Sequence, residues 1–225
     1  MKLIIDDAHI DRIKEIYAYY PVDGVTTNPS ILARAGRPPF EVLHEIRDFI
    51  GPKAELHVQV LARDADGMQR DAERILKELG EGTYIKIPVV REGLRAIKLL
   101  SAQGVNVTAT AIYTRMQAWL AGKAGARYAA PYVNRIDNLG ADGVETAESI
   151  HDIYLNNDIP CSVLAASFKN SQQVQELAEY GVGAATVAPD IIEGFLKNAC
   201  VDGAVDAFAQ DFAQLAGAGK TMSDL

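Results

Sequence analysis

The chain has 225 residues, 48% hydrophobic and 23% charged, with 22 basic against 30 acidic side chains and a net charge of −8. That length suits one large α/β domain whose buried surface needs no disulfide or metal staple. The acidic balance and the absence of a dense Lys/Arg run exclude a nucleic-acid partner, whose phosphates demand a basic face, while leaving room for the few donors that one substrate phosphate requires.

Short β-branched apolar runs alternate with longer amphipathic stretches, the pattern of repeated strand–helix units. Leu3–Ile5 reads as the first strand, followed by a helix over about 9–20 with Ile10, Ile13, Ile16 and Tyr17 on one face. Gly24–Thr27 is the second strand, and two helices follow over 29–35 and 40–50, separated by Gly36 and two prolines. Further strands are expected at 55–60, 84–89, 105–112, 128–133, 161–166 and 184–187. The helices between and after them fall at about 65–79, 92–103, a stretch carrying Trp119, 144–156, 171–180 and 191–198. Eight such units are enough to close a barrel, whereas an open sheet of six strands or fewer leaves two unexplained. The expected fold is therefore a (β/α)8 TIM barrel spanning 1–225 as one domain, with an extra C-terminal helix over 201–216. That helix carries Val205, Phe208, Phe212 and Leu215 at helical spacing, suited to its own barrel or to a neighbouring subunit. The tail from Gly217 reads as flexible.

Cys161 and Cys200 lie outside any CxxC or Cys/His spacing and read as reduced thiols. His9, His44, His57 and His151 show no ligand spacing, so no metal site is expected. No apolar run approaches the roughly 18–20 residues that span a membrane. Met1–Asp7 reads as a strand with no signal-peptide core, and a cytoplasmic location is expected.

In a parallel barrel the C-terminal strand ends build the active face. Asp6, Thr26, Asn28, Gln59, Lys86, Thr110, Tyr132 and Ser167 fall at or just beyond such ends, on seven different strands. Lys86 stands alone between Ile85 and Ile87 in a run of Tyr, Ile, Pro and Val, and strand alternation turns it toward the barrel interior. Desolvation there favours the neutral amine, which can attack a carbonyl. Spacing alone leaves a second reading open, in which Lys86 pairs with an acid such as Asp6 and fills space. Asp6 suits proton transfer and hydroxyl binding, but equally a turn. Tyr132 and Gln59 could hold a proton-shuttling water, although a tyrosine is more often a core residue with a satisfied hydroxyl. Arg135, Ser167 and Lys169 together suggest a phosphate site: a guanidinium fork with a hydroxyl and N–H groups ahead of a helix.

The stretches Gly24-Val-Thr-Thr-Asn-Pro-Ser30, Tyr84-Ile-Lys-Ile-Pro88, Ala130-Pro-Tyr-Val-Asn-Arg-Ile-Asp137 and Leu164-Ala-Ala-Ser-Phe-Lys169 resemble the small transaldolase family, nearest its fructose-6-phosphate aldolase branch. The likeness runs from Asp6 to the C-terminal helix. It implies class I chemistry with no cofactor: Lys86 forms a Schiff base with a ketose, Asp6 assists proton transfer, Thr26, Asn28 and Thr110 line the donor pocket, and Arg135 and Ser167 hold phosphate. Where transaldolases usually carry Glu and Phe, this chain has Gln59 and Tyr132, as in the aldolase branch, where the tyrosine gives or takes the proton. His57 departs from that branch, which commonly has Phe there. The Asn106–Thr110 run mixes features of both branches. Sugar-phosphate substrates and a homo-oligomer, commonly a decamer, are likewise implied by the resemblance. Two alternatives accompany the aldolase: a transaldolase moving a dihydroxyacetone unit between sugar phosphates, and a sugar-phosphate-binding barrel without chemistry.

Overall fold

The computed structural model describes all residues, Met1–Leu225. Eight parallel strands close in sequence order into a barrel, β1-β2-β3-β4-β5-β6-β7-β8, with β1 pairing to β8. In chain order the elements are β1 (Lys2–Asp6), α1 (Ile10–Tyr19), β2 (Gly24–Thr26), α2 (Pro29–Ala35), α3 (Pro39–Ile50), β3 (Glu55–Gln59), α4 (Ala65–Leu79), β4 (Tyr84–Pro88), α5 (Arg91–Ala102), β5 (Val107–Ile112), α6 (Arg115–Lys123), β6 (Tyr128–Pro131), α7 (Val133–Asp137), α8 (Gly143–Asn156), β7 (Ser162–Ala165), α9 (Ser171–Tyr180), β8 (Ala184–Val187), α10 (Pro189–Gly194) and α11 (Ala199–Ala216). The chain divides into two compact units, Met1–Ile192 and Glu193–Leu225. The first holds the barrel. The second carries α11, none of whose side chains is buried, and ends in a 3-10 turn at Met222–Asp224 where the sequence suggested only a flexible tail.

Alternation along each strand sorts the side chains between two cores. Ile5, Val25, Leu56, Val58, Ile85, Ile87, Val107 and Ala109 face outward into the main apolar layer beneath the helices. Full burial of each isoleucine is worth about 2–3 kcal/mol. Inside the barrel a smaller cluster of Ile4, Tyr128, Leu164 and Ala184, with Tyr84 against it, forms the floor. Above the floor the interior turns polar at the C-terminal strand ends, with Thr26, Lys86, Thr110 and Thr186 all buried.

Local sequence explains the elements that carry the site. Asn28 caps α2, its side chain accepting from Ile31 N at 3.0 Å; Pro29 follows at the first helical position, and Gly36 ends the helix in the left-handed region at φ 66°. Pro88 is confined to the last residue of β4, where a strand tolerates a missing N–H. β5 carries a bulge: Ala111 sits at φ 57° and the register with β6 shifts between Ala109 and Ile112. The extra residue changes the phase, so that Thr110 stays inside while Ile112 rejoins the outer core. Strand six is shorter than its sequence suggested. It stops at Pro131, Tyr132 makes an isolated bridge to Ala166, and Val133 opens the short helix α7.

Candidate active site

Lys86 lies on β4, in register with Gln59 on β3 and Thr108 on β5. Only 6% of its surface is exposed, and its Nζ donates to the Thr27 carbonyl at 2.7 Å. That bond fixes the side-chain direction while a neutral amine keeps its lone pair. Burial pushes the Lys86 pKa down, and the nearby Asp6 carboxylate pulls it partly back. Asp6 closes β1 with a little surface open at the mouth; burial raises its pKa, against the opposing pull of Lys86 and of a hydrogen bond from Thr26. Both shifts favour the uncharged forms. The pair can thus offer a nucleophilic amine beside a carboxylic acid, the two protonation states that attack on a ketone and loss of its oxygen as water require.

A hydroxyl chain holds Asp6 in place. Thr26 Oγ1 donates to Asp6 Oδ1 at 2.7 Å and lies 2.6 Å from Thr186 Oγ1. Thr186 was missed from the sequence: a threonine inside Ala-Ala-Thr-Val carries no charge to mark it, and only the closure of β8 onto β1 brings it to Asp6. Across the barrel, Thr110 Oγ1 meets Tyr132 OH at 3.0 Å, and the Tyr132 ring packs edge-on against Tyr113 with centroids 5.6 Å apart. Gln59 ends β3 beside Lys86 and borders a cavity of about 690 Å³ together with Pro29, Leu32 and Phe40.

Arg135 projects from α7, its guanidinium 4.8 Å from the Tyr132 ring centre and its Nη1 donating to Tyr113 OH at 3.4 Å. Facing α7 is the turn after β7, where Ser167 adopts φ 63° and its carbonyl accepts from Asn134 N at 2.8 Å. A non-glycine residue in that region costs about 1 kcal/mol or more, so the surrounding contacts must hold it there. Asp137 ties the region together. Its carboxylate accepts from Gly143 N at 2.7 Å and from Gln173 Nε2 at 2.6 Å, joining α7 to α8 and α9. Gly143 is required by contact, since a Cβ there would sit 2.2 Å from the Val133 carbonyl oxygen. Lys169 is exposed at the start of this helix connection, and its N–H donates to Gln173 Oε1 at 2.8 Å.

Residues 3–224 match the family model described as Transaldolase/Fructose-6-phosphate aldolase. The chain belongs to this family. It is also 39% identical, over 213 residues, to a protein of Streptococcus pneumoniae (strain ATCC 700669 / Spain 23F-1) named "Probable fructose-6-phosphate aldolase"; the match covers 94% of this chain and 96% of that one. Within this barrel Asp6, Thr26, Gln59, Thr110 and Tyr132 lie toward the C-terminal ends of four strands and the turn after β6, and Lys86, midway along β4, is level with the last residue of β3. Asn28 is there as well, although its side-chain oxygen is committed to capping α2. Arg135 and Ser167 stand beyond the β6 and β7 ends, Arg135 against the Tyr132 ring.

The sequence reading also passed over a polar layer lower in the barrel. Glu55 is joined to Lys2 at 2.5 Å, to Tyr128 OH at 3.2 Å and to His57 Nε2 at 3.2 Å, and His57 Nδ1 reaches Thr108 Oγ1 at 2.9 Å. Glu55 and His57 alternate with apolar neighbours as any inward strand residue does. Their remaining partners, Lys2, Tyr128 and Thr108, lie on other strands, where spacing along the chain cannot reveal them.

Proposed function

We propose that this chain is a class I aldolase that cleaves fructose 6-phosphate reversibly into dihydroxyacetone and glyceraldehyde 3-phosphate. The observation that carries the reading is Lys86: a buried amine with a lowered pKa, near Asp6 and level with the C-terminal end of β3. Its lone pair attacks the C2 carbonyl, Asp6 supplies the proton that lets oxygen leave as water, and an iminium forms. The C3–C4 bond then breaks: its electron pair moves into the iminium, giving an enamine, while the C4 hydroxyl proton passes through a relay, a role we give to the Tyr132 phenol and its water, to the carboxylate that Asp6 became on giving up its proton. Protonation of the enamine and addition of water release dihydroxyacetone and restore the amine, so every atom is accounted for without a metal or cofactor. Thr26, Asn28 and Thr110 line the donor pocket in this reading, and Gln59 holds the water near Tyr132. The name of the pneumococcal relative points the same way.

The family covers transaldolases too, and Gln59 with Tyr132 favours release over transfer. Incubation with fructose 6-phosphate and no acceptor aldehyde separates the two, because an aldolase liberates dihydroxyacetone continuously. A transaldolase would stop after about one equivalent bound to enzyme. Borohydride reduction during turnover should fix the ketose carbon on Lys86, and a peptide map with no added mass there would refute the Schiff-base reading.

Arg135 and Ser167 are assigned to the substrate phosphate. Arg135→Gln should therefore raise KM for fructose 6-phosphate about 10- to 100-fold, since a charge-assisted fork is lost. Unphosphorylated fructose should be cleaved as by the parent enzyme. Equal losses on both substrates would remove Arg135 from the phosphate site.

The substrates are sugar phosphates, and we further propose a homo-oligomer, with a decamer as the expected size. Val201, Val205, Phe208 and Leu215 on α11 are 55–83% exposed, an apolar surface that association would cover. Light scattering should give a multiple of the 24.3 kDa chain, and a mass of one chain would dismiss the proposal. No helix is long and apolar enough to cross a membrane, and the cytoplasm is the compartment proposed.

A further inference from the structure

The layer below Lys86 has a direction to its hydrogen bonds. Glu55 is held as a carboxylate, with its pKa lowered to about 2 by His57 and Lys2 despite the opposing cost of burial. A carboxylate can only accept, so His57 Nε2 must carry the proton in the 3.2 Å contact between them. The imidazole is fully buried and stays neutral, its pKa lowered to about 4 chiefly by desolvation. His57 Nδ1 is therefore an acceptor, and the 2.9 Å bond to Thr108 requires the threonine hydroxyl to donate. Stacking on Tyr84, with ring centroids 4.5 Å apart, and the Tyr128 ring at 5.7 Å prevent the imidazole from turning over.

Thr108 is the register neighbour of Lys86 on the adjoining strand, and both are buried. Once its one proton is directed down toward His57, Thr108 Oγ1 has only lone pairs left for the layer above. We propose that His57 is a positioning residue for the Schiff-base step: its hydrogen bond orients Thr108 so that the hydroxyl oxygen presents negative potential to Lys86 and stabilises the iminium cation. Glu55 anchors the chain of dipoles, and Lys2, 47% exposed on its side chain, balances that charge at the open end of the floor. Freed from His57, the hydroxyl could rotate and point its proton at the cation instead. The inference rests on the Schiff-base reading above and adds to it a device in the second layer of the barrel.

The titratable groups facing His57 are Glu55 on β3, Tyr84 and Lys86 on β4, Tyr128 on β6 and Lys2 on β1; of these, Lys86 alone is assigned a chemical step. Thr108→Val keeps shape and removes the hydroxyl. It should slow borohydride trapping at Lys86 about five- to tenfold, the scale of one lost polar contact to a charge. Because the same oxygen also favours the ammonium form, the acid limb of the kcat/KM profile should move to lower pH. A merely structural defect would lower the rate without that shift. His57→Phe should reproduce both effects, and Thr108→Ser should retain parent behaviour; if His57→Phe does not fold, the Thr108 pair decides alone. A folded Thr108→Val variant with the parent's trapping rate and an unmoved acid limb would overturn the inference. Failure to trap the parent enzyme at all would instead strike the Schiff-base reading itself.

Discussion

Replacing Lys86 with Met should abolish cleavage and make the protein more stable. The nucleophile is lost with the amine, so turnover should fall by about 10⁴-fold or more and borohydride should add no mass at position 86. The stability gain follows from proton linkage. Burial holds the folded-state pKa of Lys86 below its unfolded value, so the unfolded chain binds the proton more tightly. That difference penalises folding increasingly as pH falls through the window between the two values, and it disappears at higher pH where both states are neutral. Methionine has no such penalty and matches the lysine stem in length. It forfeits the bond to the Thr27 carbonyl, a loss of about 1 kcal/mol, against removal of a burial penalty of about 1.4 kcal/mol for every tenfold by which the folded state weakens proton binding to the amine. A rise in Tm of about 2–8 °C near neutral pH is expected for a chain of this size, shrinking as pH approaches 10. A melting point that falls would mean that burial of Lys86 does not cost stability, and cleavage that persists would mean that it is not the nucleophile.

Much of this was legible in the chain itself, for identifiable reasons. Ile85 and Ile87 flank a solitary charge, and with two-residue alternation that pattern alone turns Lys86 inward; the outer core contains both isoleucines. Asn28-Pro29 and Gly36 bracket α2 because each has a conformational preference of its own, and the helix bounds read from sequence coincide with those observed. The failures are of another kind. Val133 reads as the end of a strand because it is β-branched, yet it begins α7, a helix of five residues too short for any periodicity to appear. The bulge at Ala111 leaves no compositional trace, although it decides which side of β5 faces the site. The Thr27 carbonyl that anchors Lys86 is a backbone atom, silent in any sequence. Glu55, His57, Thr108 and Thr186 needed barrel closure to acquire their meaning, since each finds its decisive partner on another strand or through one that does.

Tyr132→Phe should separate formation of the iminium from its productive use. The Tyr132 hydroxyl lies 3.0 Å from Thr110 Oγ1, inside a frame made by the Tyr113 ring and the Arg135 guanidinium. Phenylalanine preserves that frame and removes only the proton carrier. If the phenol relays the proton between the C4 hydroxyl and the enamine, acceptor-free release of dihydroxyacetone should drop about 10²- to 10³-fold. Trapping at Lys86 should continue, because amine attack and water loss are served by Asp6 on the opposite wall. Cleavage slows with it, but the enamine that does form also waits longer for a proton and can meet an electrophile. Adding Gln59→Glu places a carboxylate in register with Lys86, where it can order the water that serves Schiff-base exchange. The double variant should accordingly transfer its three-carbon unit to erythrose 4-phosphate faster than it releases the unit to water, reversing the preference of the parent. A double variant that partitions as the parent does would show that Gln59 and Tyr132 do not choose between the two outcomes. The choice would then lie in how readily an acceptor enters the pocket before water protonates the enamine, which Arg135 and Ser167 would govern by holding the acceptor's phosphate.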